Sequence, residues 1–317
     1  MSSRTRLFGL WLAYAMVVSA ALSPAVWAEE AAPPAKKSAA PPAARIVPDD
    51  LELLRDVEFG KGGDRALKMD ILRPKQPPAG PMPVVVYIHG GAWRGGSKNN
   101  MPGLCTALAQ QGYFCASIEY RLSQEAIYPA QIEDCKCAIR FLRAHAKEYK
   151  INPDRIGVWG HSAGGHLVAL LGVTGDAKDL EGKGGWQDQP SRVQAVVDCF
   201  GPADFVILAK DPNALQGGMG SPVAGLLGKP PSEVPDLAAK ASPIAYVSKD
   251  AAPILILHGD EDKTVPLQQG ERFYEALKKA GADATMHVVK GAGHGFKAQD
   301  VDGMIKAFFD KHLKGAK

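Results

Sequence analysis

The chain has 317 residues, 46% hydrophobic and 22% charged, with 37 basic against 34 acidic side chains and a formal net charge of +3. So balanced a charge leaves no field to steer nucleic acid, and no basic stripe with interleaved aromatics stands out, which excludes nucleic-acid partners. Once the N-terminal segment is set apart, the length suits one α/β domain.

That segment reads as leader rather than fold. "MSSRTR" carries Arg4 and Arg6, Leu7 to Val18 is apolar, and a small-residue tail ends in "AVWA" at Ala28. The order charged, apolar, small is that of a secretory signal peptide over 1–28, cleaved after Ala28, and predicts a periplasmic or secreted protein. The apolar run is shorter than the ~20 residues a membrane-spanning helix needs. No cysteine follows the cleavage site, so no stable membrane anchor is expected. Residues 29–45, "EEAAPPAKKSAAPPAAR", have too few apolar side chains to offset their ordering entropy and read as an Ala/Pro-rich spacer. The folded domain is expected over 46–317.

Inside it, "LLRDVEFG" and "RALKMDILRP" alternate and predict two strands, an antiparallel edge. Short continuous apolar runs follow: "PVVVYIH" (83–89), "YFCASIEY" (113–120), "RIGVWG" (155–160), "VQAVVDCF" (193–200), "PILILHG" (253–259) and "ATMHVV" (284–289). Runs apolar on both faces mark parallel strands covered by helices. Between them "YPAQIEDCKCAIRFLRAHAKEY" places Pro129 near a helix start and Ile132, Cys135, Ile139 and Leu142 on one face. "ERFYEALKKAG" is a helix closed by Gly281, and "MIKAFFDKHL" is a last helix. Alternating strand and helix gives the fold class α/β, a doubly wound, mostly parallel sheet, with ligands bound beyond the carboxyl ends of the strands.

The five cysteines are Cys105, Cys115, Cys135, Cys137 and Cys199. Export permits disulfides, and an odd count leaves at least one thiol over. Cys135 and Cys137, two apart on a helix, point in different directions. Cys105 with Cys115 is the first candidate pair, and small buried apolar residues are the alternative for each.

The residues that carry chemistry all follow strands. Gly160-His161-Ser162-Ala163-Gly164 is a G-x-S-x-G between "RIGVWG" and "GGHLVALLG". A sharp strand-to-helix turn lifts the serine hydroxyl over the sheet end, and the strained backbone there requires small neighbours. A serine hydroxyl is a weak nucleophile and needs a base. Of eight histidines, His145 and His312 lie in charged helical stretches and are expected to be solvated, His287 lies within a strand, and His166 reads as a packed helix residue. His294, in the glycine-rich "GAGHGF" after the last strand, is the candidate base. Asp262 in "HGDEDKTVP" is the candidate acid that orients it, with Asp260 as the rival whose alternative role is capping backbone amides. In "IHGGAW" two glycines after a strand allow amides to face a ligand. Gly91 and Ala92, with Ala163, are the candidate oxyanion donors, and His89 anchors that loop. Trp93, Tyr120 and Trp186 are candidates for the substrate pocket, with core packing as the alternative. No metal cluster or phosphate loop is visible, so neither metal nor cofactor is expected.

"HGGAW", "GHSAGG", "HGDEDKTVP" and "GAGHGF" together resemble an α/β-hydrolase of the esterase/lipase type. The chain is most similar to bacterial carboxylesterases that include bifunctional acetylxylan and feruloyl esterases, with the hormone-sensitive-lipase group as a neighbour. The likeness covers about residues 50 to 315 and is densest over 119–172. It implies an ester hydrolase with Ser162, Asp262 and His294 as triad and the amides of Gly91, Ala92 and Ala163 as oxyanion hole. It also implies a small-molecule or polysaccharide-linked ester as substrate, and leaves the oligomeric state open. Two departures stand out. Ala92 replaces the third glycine of the lipase H-G-G-G, and the large N-terminal cap of that group is missing. A lid is therefore expected to be small and to come from 174–191 or from the stretch between Gly201 and Tyr246. Two other readings keep the same fold: a serine peptidase, which would add a propeller or a large lid, and a non-catalytic binding protein, which would lose a triad member.

Overall fold

The computed structural model describes residues 47–210 and 221–315. The leader expected over 1–28 and the spacer expected over 29–45 lie outside the described residues. The strands are β1 Leu51–Gly62, β2 Arg65–Pro74, β3 Met82–Ile88, β4 Phe114–Ile118, β5 Ile151–His161, β6 Ala195–Cys199, β7 Ile254–Gly259 and β8 Ala284–Val289. They form one eight-stranded sheet in the order β1-β2-β4-β3-β5-β6-β7-β8. β1 pairs antiparallel with β2 and β2 antiparallel with β4, whereas every pairing from β4 through β3 to β8 is parallel. This is the doubly wound, mostly parallel sheet that the strand runs predict.

The burial explains the pattern. Every residue of β3, β4, β6 and β7 is buried, because helices cover both faces. The helices are α1 Gly103–Gln110, α2 Ala130–Ala144, α3 Ala146–Tyr149, α4 Ala163–Val173, α5 Phe205–Leu208, α6 Pro222–Leu227, α7 Pro235–Lys240, α8 Gln268–Ala280 and α9 Ala298–Phe309. Alternate strand residues serve opposite layers. Val84, Val86 and Ile256 pack with α2, α4 and α8, while Val85, Tyr87 and Leu257 pack with α1 and α9. β1 behaves differently: it is half-exposed and its register shifts twice against β2, which are common devices for a strand at a sheet edge.

The stripe Ile132, Cys135, Ile139 and Leu142 of α2 is fully buried. The opposite side is buried too, and this decides the fate of one expected lid. Lys136 Nζ donates to Thr174 O at 2.6 Å, Glu181 Oε1 at 2.8 Å and Ser191 Oγ at 3.2 Å. Arg140 Nη1 donates to the carbonyl of Glu181 and to its Oε2, at 2.7 and 2.6 Å. Both cations have side chains only 1% exposed. The stretch 174–191 is thus fastened to α2 by buried charge and forms a fixed wall rather than a lid. The other expected lid stretch, from Gly201 to Tyr246, includes residues 211–220, which lie outside the described residues.

All five cysteines are free, buried thiols. The expected Cys105–Cys115 bridge is not made: Cys115 Sγ instead donates to the Cys105 carbonyl at 3.4 Å. Burial pushes the Cys115 thiol well above its ordinary value, and the facing Cys105 adds to the effect. Both are packed in the core as free thiols. His145 and His312 are not solvated as expected. His145 Nδ1 donates to Phe141 O at 2.9 Å and its ring packs on Phe141 and Trp186. His312 is half-buried against Phe308, and burial lowers its pKa.

Candidate active site

The site sits where β3, β5, β6, β7 and β8 end. Ser162 joins β5 to α4 with φ 54° and ψ −117°, a left-handed backbone that costs a non-glycine residue of order 1–3 kcal/mol. Its place is held from both sides, since its amide donates to Cys199 O and its carbonyl accepts from His166 N, each at 2.9 Å. The flanking glycines are obligatory for steric reasons. A Cβ on Gly160 would run into the Gly164 carbonyl, and a Cβ on Gly164 into the carbonyl of Ile88 in β3.

Ser162 Oγ donates to His294 Nε2 at 2.9 Å, and His294 Nδ1 donates to Asp262 Oδ2 at 2.7 Å. The loops after β5, β8 and β7 therefore bring the three sequence-selected side chains into one line. The other oxygen of Asp262, Oδ1, accepts from the amides of Thr264 and Val265 at 2.8 and 2.9 Å. Burial alone would raise the Asp262 carboxyl. Hydrogen bonds from His258, His294 and the Val265 amide outweigh that and hold it well below the usual carboxylate range. An ionised acid fixes the imidazole tautomer, with hydrogen on Nδ1 and a lone pair on Nε2 facing the serine. Asp260, the rival acid, is engaged elsewhere: its Oδ1 accepts from Gly291 N at 2.6 Å and ties the acid turn to the histidine loop.

His161, next to the nucleophile candidate, is not in this line. Its Nδ1 accepts from the Tyr87 hydroxyl at 3.2 Å. Burial, reinforced by the charge of His294, lowers its pKa to about 4. His166 is fully buried, with Nε2 donating to Ala241 O at 2.7 Å, and burial brings it also to about 4.

The loop after β3 lies against the serine turn, since a Cβ on Gly90 would stand 2.7 Å from the His161 carbonyl. Gly91, Ala92 and Trp93 all have positive φ, at 117°, 55° and 56°. Two non-glycine residues in succession are thus strained where Ala92 stands in place of a glycine. The loop is held by His89, whose ring stacks on Tyr120 at 4.4 Å and whose Nδ1 donates to Gly90 O at 2.8 Å. Ala163 is the first residue of α4, so its amide has no carbonyl within the helix to bond.

The three aromatic pocket candidates turn out to be braces. Trp93 is 1% exposed and its Nε1 donates to His166 Nδ1 at 3.2 Å. Tyr120 is equally buried and donates to the His89 carbonyl at 3.0 Å. Trp186 is half-exposed, but its Nε1 donates to Phe59 O at 2.8 Å and its ring packs on Phe141 and His145, away from the serine line. The residue that does face the line is Phe200, which sequence reasoning passed over. It follows β6 with φ 46°, and its ring meets His294 edge-on at 4.8 Å and Phe296 at 5.0 Å. Its position at a strand's carboxyl end was the available signal.

Residues 69–277 match the BD-FAE family. The chain is 35% identical, over 73% of its length, to a probable carboxylic ester hydrolase, LipM, of Mycobacterium tuberculosis, and covers 53% of that protein. It thus spans about half the length of the curated relatives it matches. A solved truncated form of a carbohydrate esterase from gut microbiota is 36% identical, with a TM-score of 0.75, covering 83% of this chain and 96% of that one. Esterase 2 of the planctomycete Thermogutta terrifontis, solved phosphorylated by paraoxon, is 25% identical with a TM-score of 0.67, covering 83% and 94%. The match runs from β2 into α8 and takes in the serine turn, the loop after β3 and the turn that carries Asp262; the chain belongs to the BD-FAE family of α/β-hydrolase esterases.

Proposed function

We propose that the protein is an exported serine esterase that cleaves carboxylic esters through an acyl-enzyme, with Ser162, His294 and Asp262 as its triad. The observation that carries this is the unbroken line from Ser162 Oγ through both nitrogens of His294 to the buried Asp262 carboxylate. In the first half-reaction the Ser162 proton passes to His294 Nε2 as Oγ bonds to the ester carbonyl carbon. The amides of Gly91, Ala92 and Ala163 receive the oxyanion. The ester C–O bond then breaks and the alcohol leaves with the proton from His294. Water enters, gives a proton to His294 and attacks the acyl carbon. The carboxylic acid departs, and Ser162 recovers its proton.

The substrate class we propose is a short or aromatic acyl ester, including acetyl or feruloyl groups on plant polysaccharide. Two observations support it. The stretch 174–191 is fastened to α2 by Lys136 and Arg140, which favours a site that stays open to an ester on a bulky alcohol. The solved carbohydrate esterase resembles this chain along nearly its whole length. Export rests on the N-terminal leader pattern, and the secreted protein is expected to begin at Glu29 by N-terminal sequencing.

The test is a panel of aryl esters of rising acyl length, with methyl ferulate and acetylated xylan. Turnover should fall as the acyl chain lengthens, and acetate or ferulate should be released from the last two. Ser162→Ala should lower turnover by about six orders of magnitude. A variant that keeps a tenth of the wild-type rate would refute the assignment. A fluorophosphonate probe should label Ser162 in the wild type and fail in the variant.

A further inference from the structure

His258, near the end of β7, has no part in that reaction scheme, yet its surroundings are those of a built device. The side chain is fully buried. Nε2 donates to the Val265 carbonyl at 2.8 Å. A carbonyl only accepts, so this contact fixes the hydrogen on Nε2. The same nitrogen lies 3.5 Å from Asp262 Oδ2, the oxygen that takes the hydrogen bond of His294. Val265 closes the arrangement, because its amide donates to Asp262 Oδ1 at 2.9 Å while its carbonyl receives His258. Imidazole, turn residue and carboxylate therefore form one closed circuit behind the base.

The other ring nitrogen, Nδ1, is buried and meets no hydrogen-bond partner among the described residues. Such an orphan is costly, and an apolar residue packed in its place would avoid the cost. Its retention points to work done by Nε2. The space beside Nδ1 is kept bare by α8, where a Cβ on Gly270 would stand 2.9 Å away. Among the described residues, the charged groups that bear on the ring are Asp262 from the acid turn and Asp198 from β6. Gly270 from α8 and Met286 from β8 bring none. Asp198 is itself tied, accepting from Gly201 N at 2.9 Å.

We propose that His258 is a positioning residue: its Nε2–H holds Asp262 Oδ2 and the Val265 carbonyl together, so that the carboxylate stays aimed at His294 Nδ1. The inference rests on the triad reading above. Without this tether, Asp262 keeps its bonds to Thr264 and Val265 through Oδ1 but is free to swing Oδ2 away from the base. His294 then loses both its orientation and part of the charge that stabilises its imidazolium.

The experiment compares His258→Leu, His258→Asn, His258→Gln and Ser162→Ala in the full chain, with p-nitrophenyl acetate as substrate and melting recorded for each. In His258→Leu, kcat should fall about 10- to 100-fold with KM changed less than about threefold. The acid limb of kcat/KM should move to lower pH, since a weaker carboxylate partner makes the imidazolium easier to deprotonate. Glutamine places an amide N–H where Nε2 stands and should bring kcat back to within about fivefold and return the limb. Asparagine is too short to reach Val265 and should behave as leucine does, which keeps the test open if the leucine variant fails to fold. An unmoved acid limb with kcat within about twofold of wild type in the leucine or asparagine variant overturns the proposal. So does an equal loss in asparagine and glutamine variants with the limb unmoved, which is what a packing role produces. Activity retained in Ser162→Ala would instead overturn the triad reading itself, so the two failures are distinguishable.

Discussion

Changing Glu181 to glutamine removes one charge and almost no volume from the clamp that fastens 174–191 to α2. In the wild type Glu181 lies between Lys136 and Arg140, whose side chains are each 1% exposed, while its own is 27% exposed. Burial raises its carboxyl, but the bonds from Lys136, Ser191 and Arg140 outweigh this and leave it below the ordinary value. Stripping the anion from two buried cations typically costs about 3–5 kcal/mol. The lower end applies here, because Lys136 keeps Thr174 O and Ser191 Oγ as acceptors and Glu181 is partly wet. A loss of about 3 kcal/mol corresponds to a melting temperature lowered by roughly 6–12 °C for a domain of this size. The pH dependence has a definite sign. A depressed folded pKa contributes stability above the unfolded value of about 4.3, which is lost as the pH falls through the folded one. Urea denaturation at pH 7 and at pH 4 should therefore show the variant's deficit shrinking in acid. Turnover of p-nitrophenyl acetate per folded molecule should stay at the wild-type level. A deficit under about 1 kcal/mol at pH 7 refutes the buried-clamp argument. A change in acyl-length preference refutes the conclusion that this stretch is a wall.

Asp262→Asn keeps the Oδ1 bonds to Thr264 and Val265 but presents an amide to His294 Nδ1, which favours the wrong tautomer; kcat should fall about 10⁴-fold, measured with excess aryl ester. His161→Gln, by contrast, should keep kcat within about tenfold, because that ring bonds Tyr87 rather than Ser162. Gly164→Ala drives a methyl into the Ile88 carbonyl of a central strand and should abolish both folded yield and probe labelling. Asp198 carries the opposite pH signature to Glu181. Burial raises its carboxyl to about 6, with the Gly201 amide and His258 pulling it back. A raised carboxyl contributes stability below its unfolded value of about 3.9 that is lost as the pH rises to about 6, so Asp198→Asn should gain up to about 3 kcal/mol over wild type at pH 8 and much less at pH 4. Denaturant melts across that window check the slope.

The centre of the sheet was legible because β3, β4, β6 and β7 are buried on both faces and so read as unbroken apolar runs. The same regularity made the site legible: Ser162, Asp262 and His294 were found by looking just past the carboxyl ends of predicted strands. What escaped the sequence was everything decided by contacts between distant segments. Trp93 and Tyr120 look like pocket aromatics because they adjoin "HGGAW" and "EYRLS", but whether a ring faces solvent or His166 is set by packing across α4, which no local pattern encodes. The burial of Lys136 and Arg140 on α2 is explained only by Glu181, more than forty residues on, which bonds to both. His258 is the sharper case. In "ILILHGDED" it is one residue of a buried strand, next to its end, and its meaning appears only when the turn that follows brings Val265 and Asp262 back onto its Nε2. In the proposed arrangement a donor one residue before the strand's end, followed at once by a turn that holds an anion, supplies the acid and its tether from one short segment. In the proposed triad the base, His294, arrives from another loop and meets Asp262 Oδ2 at 2.7 Å.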